Sequence, residues 1–575
     1  MKYSLINPVT EFKPIEQILI NRGIKKSDIQ CFLYPDETFN YSPLLLKNIE
    51  KGYNMLMKHI NNNDKILMIV DCDCDGYTSS ALLINFLYKF YPSFVENNIT
   101  YIMNEGKTHG IVLESIPDDT NLVIAADSSS SDYDQHKALF DKGIDVLILD
   151  HHLAERESEW ACVINNQLCD YPTKSLSGVG IVYKFCQYFD SVANSAEADK
   201  FLDLVALGLI ADVMDARDFE TSFLINKGLA QISNPFFKTM CDRSNKLGPY
   251  PTPVAVAWYA APYVNATIRV GDAKEKLILF ESMLDFKGYQ EVPSTKRGCK
   301  GQMETLVEQA CRNCVNIKKR QTDARDASLN VIKQKIKNEN LLDNQILLVP
   351  LAKEDNINKN VLGLIANQVM SEYQKPVMLL NENAEENLWE GSCRGAGIPD
   401  FRQFLLDSKL VEYGQGHANA FGAGIVTEKI PQLISYANNK LAGFDFSPCY
   451  KVDFIYQNSD FSAQDILAIA GHEFTWRTNV EEPYIAIENI KITDKNLQLM
   501  GRDKNPTLKI ALDNGVCLIK FKSSEEEFNN LLSSNLGCVI INVVGKCKIN
   551  NWNGNITPQI FIEEYEIIKN TPYYF

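Results

Sequence analysis

A run of roughly 18 or more apolar residues, the length that spans a bilayer, occurs nowhere in these 575 residues. The opening MKYSLINPVTEFKP lacks the apolar stretch and small-residue cleavage site of a secretory signal, so a cytoplasmic location away from membranes is expected. Paired cysteine motifs at zinc spacing are missing too. Of 15 cysteines only Cys311 and Cys314 form a C-x-x-C, and no second pair follows. Without an export signal the scattered thiols read as free rather than as a disulfide framework. Positive charge is scarce: Lys and Arg total 57 against 73 Asp and Glu, a net charge of −16. That counts against a uniformly basic, nucleic-acid-coating surface. It leaves room for local phosphate contacts, because acids that hold metal ions are neutralised in a working site. Internal repeats and low-complexity tracts are absent beyond short Asn runs. At roughly 100–200 residues per domain, the length implies about three or four domains.

What is present concentrates in residues 64–152. Ile66-Leu67-Met68-Ile69-Val70 is an apolar run of strand length that ends in Asp71-Cys72-Asp73-Cys74-Asp75-Gly76. A second run, 122–126, ends at Asp127, and a third, 146–149, ends in Asp150-His151-His152. Continuous apolar runs suit strands buried on both faces of a parallel sheet. Helical patterns at 77–91 and about 131–142 separate them, which reads as βαβ units. Ligands of such sheets bind outside the carboxyl ends of the strands, where all three acidic segments fall. A cluster of carboxylates repels itself unless a cation compensates it. Oxygen ligands with one or two imidazoles suit Mn²⁺ or Mg²⁺. A calcium loop of the EF-hand type fits poorly, since a strand precedes it and Leu82 stands where the twelfth-position Glu would be. Farther on, the apolar run 204–211 ends at Asp212, a candidate last ligand.

These residues resemble the DHH phosphoesterases, and within them the RecJ branch. VDCDCDG (70–76), Asp127, DHH (150–152) and GLIADV (208–213) occur in the family's order. LSGVGIVYKF (176–185) resembles the family's glycine-containing helix start, and AAPYVNATIRVGDA (260–273) the segment bearing a family arginine, here Arg269. Residues 363–380, GSCRGAG (391–397) and YGQGHANAFGAG (413–424) resemble the DHH-associated domain, and 507–521 with 543–565 the RecJ OB-fold. The chain departs from the pattern in places. Ser128–Ser131 follow Asp127 where a Gly is usual, Tyr263 stands where many members have Arg, and Asn104 and His109 occupy a stretch that usually holds Arg and Tyr. Such drift suits a divergent, phage-type relative.

The resemblance implies a two-metal phosphodiesterase that digests single-stranded DNA, 5′→3′, in repair, recombination or replication. It implies Asp127 as the carboxylate bridging two divalent cations, Mn²⁺ or Mg²⁺. Asp73 serves one ion, and Asp75, His151 and Asp212 the other; Asp71 is a ligand or an outer orienter. Asp150 fixes the tautomer of a histidine, and His152 is left to touch the scissile phosphate or move a proton. Arg269, Arg394, Gly416 and His417 are the expected substrate-binding residues. The alternatives are a DHH phosphodiesterase of short oligonucleotides or cyclic dinucleotides, and a non-catalytic DNA-binding replication scaffold. The expected fold is α/β, in five segments: an N-terminal helical extension (1–60), a parallel-sheet DHH catalytic domain (61–290), a connecting helix (291–340), a smaller α/β DHH-associated domain (341–440) and a C-terminal OB-fold β-barrel (441–575). The connecting helix should bury Leu306, Ala310, Cys314 and Ile317, and its basic residues read either as a solvated face or as a channel wall. Phe521, Trp552 and Phe561 are candidate base-stacking residues of the barrel. Single-stranded DNA is the expected partner, with a single-strand-binding protein or helicase beside it, and the chain is expected to be a monomer. Two smaller expectations follow: Asp132 is dispensable, and removing 445–575 leaves a folded core.

Overall fold

Five strands build one parallel sheet in the computed structural model, and their register assembles a site. The structure describes residues 1–11, 13–104, 108–299, 301–357, 361–383, 387–458, 460–501, 506–532, 537–552 and 554–572. The strands run in the order Ile99–Met103, Ile66–Val70, Leu122–Ala126, Asp145–Asp150, Cys162–Asn165. Ile66–Val70 and Leu122–Ala126 are buried at every position, because helices cover both faces. Met68, Val70, Ile124 and Leu147 face one core, and Leu67, Ile69, Val123 and Ile148 the other. The edge strand Ile99–Met103 is half-exposed. Val70 pairs with Ala126 and Ala126 with Leu149, so the next residues, Asp71, Asp127 and Asp150, stand in one row. The order reverses between Ile66–Val70 and Leu122–Ala126, which is where an open α/β sheet takes its ligand.

Helices Cys74–Phe90, Gly178–Ala193 and Leu202–Ala211 pack over the first core. The first begins three residues before the sequence pattern suggests, because Asp73 caps it by accepting from the Gly76 N–H at 3.0 Å. The helix Ile49–Asn62 belongs to the same core through Ile49, Leu56 and Ile60.

The chain forms two units, Tyr3–Val315 with everything from Lys451 onward, and Asn316–Tyr450. In the first unit, Ile15, Ile18, Leu19 and Phe32 of the N-terminal segment share a core with Ile485, Ile487, Leu508, Ile541 and Ile560 of the C-terminal region. The buried Asp453 carboxylate accepts from both terminal nitrogens of Arg22 at 2.8 and 2.9 Å. Arg477, also buried, donates to Ser222 Oγ (3.0 Å) on the helix Phe219–Ala230 and to the carbonyls of Thr475 and Phe474 (both 2.9 Å). Removing 445–575 would therefore strip one side of a shared core and leave Ile15–Phe32 exposed. This shared core counts against the expected folded truncation.

The C-terminal region is a seven-stranded mixed sheet, ordered Phe454–Gln457, Ile485–Ile492, Gly537–Trp552, Asn555–Pro572, Cys517–Lys520, Thr507–Ala511, Leu497–Met500. No barrel closes among the described residues, in contrast to the expected barrel of about five strands. Alternation marks strands but not which edges meet. Here Phe454–Gln457 joins in parallel across a connection through the helix Ala463–Ala470, and the two outermost strands stay unpaired with each other. The turn expected at Asp513-Asn514-Gly515 is present, with Gly515 at φ +83°.

The second unit carries its own five-stranded sheet, Tyr413–His417, Ala420–Val426, Leu388–Arg394, Val377–Asn383, Leu347–Leu351, with one core on either face. The connecting helix is the 33-residue Leu306–Asn338. Leu306, Ala310, Cys314 and Ile317 are all buried, and Leu329, Ile332 and Ile336 join the second unit's core.

Candidate active site

The acids expected to converge do so. Ligand atoms of Asp71, Asp73 and Asp127 lie within 4.8 Å of one another, and so do those of Asp75, His151 and Asp212. His151 Nε2 lies between the groups, 3.3 Å from Asp127 Oδ1 and 3.4 Å from Asp212 Oδ2. It is hydrogen bonded to neither, and Asp127 Oδ1 and Asp75 Oδ2 are also buried without a hydrogen-bond partner. The other Asp75 oxygen accepts from Ser177 Oγ at 2.9 Å.

Three glycines let the backbone come this close. A Cβ on Gly76 would lie 2.6 Å from Asp71 Cβ, and one on Gly178 2.7 Å from Asp127 Cα. At Gly208 it would press on the Asp75 carboxylate and stand 2.6 Å from Thr78 Oγ1. Asp127 takes a left-handed φ of +68°, and Val213, immediately past Asp212, one of +58°. The second is costly for a β-branched residue, on the order of 1–3 kcal/mol. Strain of this kind gathers where a site over-determines the chain.

Electrostatics mark the cluster as uncompensated. Burial, then the charge of Asp73, raise Asp75 to about 7 against the hydrogen bonds it accepts, from Ser177 among others, which pull it down. Burial and the Asp75 charge lift Asp212 to about 8 and carry Asp127 well above the carboxylate range. Burial and the charge of His152 lower His151 to about 4, which keeps its imidazole neutral, the form that binds a metal. Asp150 differs from the other acids. Burial opposes its charge, but the hydrogen bond and charge of His152 and the Ser130 N–H hold it below the ordinary range. One Asp150 oxygen accepts from His152 Nδ1 at 2.8 Å and from the His151 N–H at 2.7 Å. The same bond raises His152 to about 9.

The description "DHH family, N-terminal domain" matches residues 65–209, and "DHHA1 domain" matches 343–443. A prophage-derived protein of Bacillus subtilis strain 168, named single-strand DNA-specific exonuclease YorK, is 37% identical over 579 residues, covering 99% of each chain. The chain belongs to the RecJ branch of the DHH family. The protein named single-stranded-DNA-specific exonuclease RecJ in the same bacterium is 23% identical, over 96% of this chain and 67% of its own. RecJ from Thermus thermophilus, crystallised with Mn²⁺, shares the fold at a TM-score of 0.70 and 16% identity, over 97% of this chain and 77% of its own.

Against the RecJ pattern, the departures at Asn104, His109 and the serine run find local explanations. His109 Nδ1 lies 2.7 Å from Asp71 Oδ2, and Asn104 Nδ2 donates to the Gly110 carbonyl at 2.8 Å. The serine run folds into a turn in which the Ser130 N–H donates to Asp150 and Ser130 Oγ accepts from Asn165. Asp132 is no bystander: its Oδ2 accepts from the Ile111 N–H at 3.0 Å and so holds the segment bearing His109. Arg269 is exposed at the end of the helix Ala261–Val270, and its charge is felt by Cys72.

In the second unit, Arg394 ends its strand and donates to Asn367 Oδ1 and to the Cys393 carbonyl, both at 2.7 Å. No carboxylate pairs with it among the described residues. His417 is exposed, and Gly416 has φ +128° with its carbonyl accepting from Arg402. Sequence reasoning missed Ser177, His109 and the three close-approach glycines. The glycines and Ser177 sat inside the quoted motifs, but only the fold shows that Ser177 reaches Asp75, about a hundred residues earlier.

Proposed function

We propose that the chain is a metal-dependent exonuclease that hydrolyses phosphodiester bonds of single-stranded DNA. The observation that carries this reading is the set of buried, unpartnered atoms Asp75 Oδ2, Asp127 Oδ1 and His151 Nε2 within two adjoining ligand groups. Buried polar atoms left without partners are destabilising, and carboxylate oxygens with neutral imidazole suit hard divalent cations. Asp71, Asp73 and Asp127 would hold one ion, and Asp75, His151 and Asp212 the other, with Asp127 shared. Two Mn²⁺ or Mg²⁺ ions supply an activated water and charge stabilisation for the attacking and leaving oxygens.

The remaining work falls to the chain. Ser177 turns one Asp75 oxygen away and leaves the other free. Asp150 anchors His152 at Nδ1, so Nε2 carries the proton that reaches a phosphate oxygen or the leaving oxygen. Arg269 and, in the second unit, Arg394 are assigned to phosphates, which a guanidinium fork binds bidentately, and Gly416 with His417 to substrate binding.

The single-stranded substrate is supported by the names of relatives that match along the whole length. We assign 5′→3′ polarity, a role in repair, recombination or replication, and a cytoplasmic monomer working with a single-strand-binding protein or helicase. The segments keep their expected roles: 1–60 extension, 61–290 catalysis, 291–340 connection, 341–440 substrate binding. The region 441–575 is assigned the strand-holding role of an OB-fold. Phe521 supports this, being 54% exposed and edge-on to Phe561 at 5.0 Å; the Trp552 side chain lies outside the described residues.

The test is a single strand labelled separately at each end, incubated with Mn²⁺. The 5′ label should leave first as mononucleotide, a duplex should resist, and EDTA should stop the reaction. Full activity in EDTA would overturn the reading.

A further inference from the structure

The short helix Pro253–Tyr259 buries Val256 completely but leaves Trp258 69% exposed. An indole so exposed is unusual, because Trp normally contributes a large buried area. Trp258 walls a cleft of about 270 Å³ whose lining includes Ile210, Glu481, Glu482 and Lys546. Ile210 lies two residues before Asp212, in the helix that delivers Asp212 to the acid cluster. The cleft therefore lies in the unit that carries the candidate active site and shares the helix Leu202–Ala211 with it.

We propose that the Trp258 cleft takes one unpaired nucleobase of the single-stranded substrate, stacked on the indole. This rests on the function proposed above and adds a binding site to it. The chemistry of the walls selects a base over a phosphate. Trp258 and Ile210 offer flat and apolar surface, which suits a π-face. The Lys546 ammonium is already drawn to Glu482, 3.5 Å away, and Glu481 is 68% exposed at the rim. Lys548 reaches Glu482 as well, and Arg477, which also lines the cleft, is hydrogen bonded to Ser222 and two carbonyls. Among the described residues the wall cations are thus engaged and a phosphate finds none free, while Glu481 at the rim can accept from the exocyclic amino groups of cytosine, adenine or guanine. A paired base has no free face to stack and its amino group is engaged, so the cleft also discriminates against duplex.

The experiment uses the full-length protein and its Trp258→Ala and Trp258→Phe variants, matched by melting temperature and circular dichroism. Equilibrium binding of a long fluorescein-labelled oligo-dC strand is measured by anisotropy in EDTA across a salt series, and hydrolysis of a dinucleotide in Mn²⁺ is measured in parallel. Trp258→Ala should weaken strand binding on the order of tenfold, the size expected for one stacked base, while Trp258→Phe keeps most of the affinity. The slope of log Kd against log salt should not change, because a base contact releases no counterions. Dinucleotide hydrolysis should be untouched. Unchanged binding in Trp258→Ala would overturn the proposal, as would a shallower salt slope, which would make the contact a phosphate one. Absence of hydrolysis of the long strand by the wild-type protein in Mn²⁺ would instead defeat the proposed function, since the binding comparison is read without turnover.

Discussion

The two sheets of the larger unit bury comparable apolar strands, yet only one of them assembles chemistry. In the parallel sheet every strand points its carboxyl end the same way, so a single register row brings Asp71, Asp127 and Asp150 together. In the C-terminal sheet, strand directions mix and the long hairpin Gly537–Trp552 with Asn555–Pro572 shifts register twice. No edge there gathers acids among the described residues, and the buried charges beside it are engaged: Asp453 accepts from Arg22, and Arg477 clasps Ser222 and the carbonyls next to it. Direction of strands, rather than the amount of core, decides which sheet carries a reactive floor. The parallel sheet tolerates strain and unpartnered atoms at its rim, and the mixed sheet satisfies its polar groups.

The largest effect that would sharpen this contrast is at Asp127. Asp127→Ala should reduce turnover by several orders of magnitude while raising the melting temperature of the metal-free protein, because it removes a buried like charge. Loss of folding in that variant would show that the carboxylate is structural. Next comes the close approach behind it. Gly178→Ala puts a methyl against Asp127, and a displacement of about 1 Å there should cost roughly a hundredfold in kcat. An active Gly178→Ala would mean that the Asp127 position is not critical. On the other sheet, Arg477→Ala leaves three acceptors without a donor and should destabilise by about 1–3 kcal/mol. Chemical denaturation reads this, with kcat at low temperature unchanged; a kcat loss instead would tie the clasp to the site.

The remaining effect is in pH. Asp75 near 7 and Asp212 near 8 stand above a carboxylate's unfolded value of about 4. Between those values the folded metal-free chain holds more protons than the unfolded one, so its stability falls as pH rises from about 4 to 8. Melting curves in EDTA should show that decline, and Mn²⁺ should reverse it most at the alkaline end. A stability that climbs with pH over this window would contradict the uncompensated cluster.

Much of the floor was legible beforehand, for a physical reason. Apolar runs buried on both faces announce themselves without alternation, so Ile66–Val70 and Leu122–Ala126 could be placed to the residue, and the acids followed at their ends. The helix starts at Cys74 rather than 77 because Asp73 caps it through the Gly76 N–H, a contact that apolar periodicity does not record. His109, Ser177 and the clasp of Arg477 were not legible, since each acts on a residue dozens to hundreds of positions away. The closed barrel failed on the same ground: alternation identifies Thr507–Ala511 or Cys517–Lys520 as strands but carries no record of which edge meets which. Exposure of one aromatic on a short helix, as at Trp258, has no sequence pattern.

Two cations sharing Asp127 stand at the centre of the proposed chemistry. The most direct measurement is a calorimetric Mn²⁺ titration of the metal-free protein with an electron paramagnetic resonance spectrum at each step. Two bound ions with a coupled signal are predicted for the wild type, and for Asp127→Asn at most one, uncoupled. A single uncoupled Mn²⁺ in the wild type, or two coupled ions that survive loss of the Asp127 carboxylate, would contradict it.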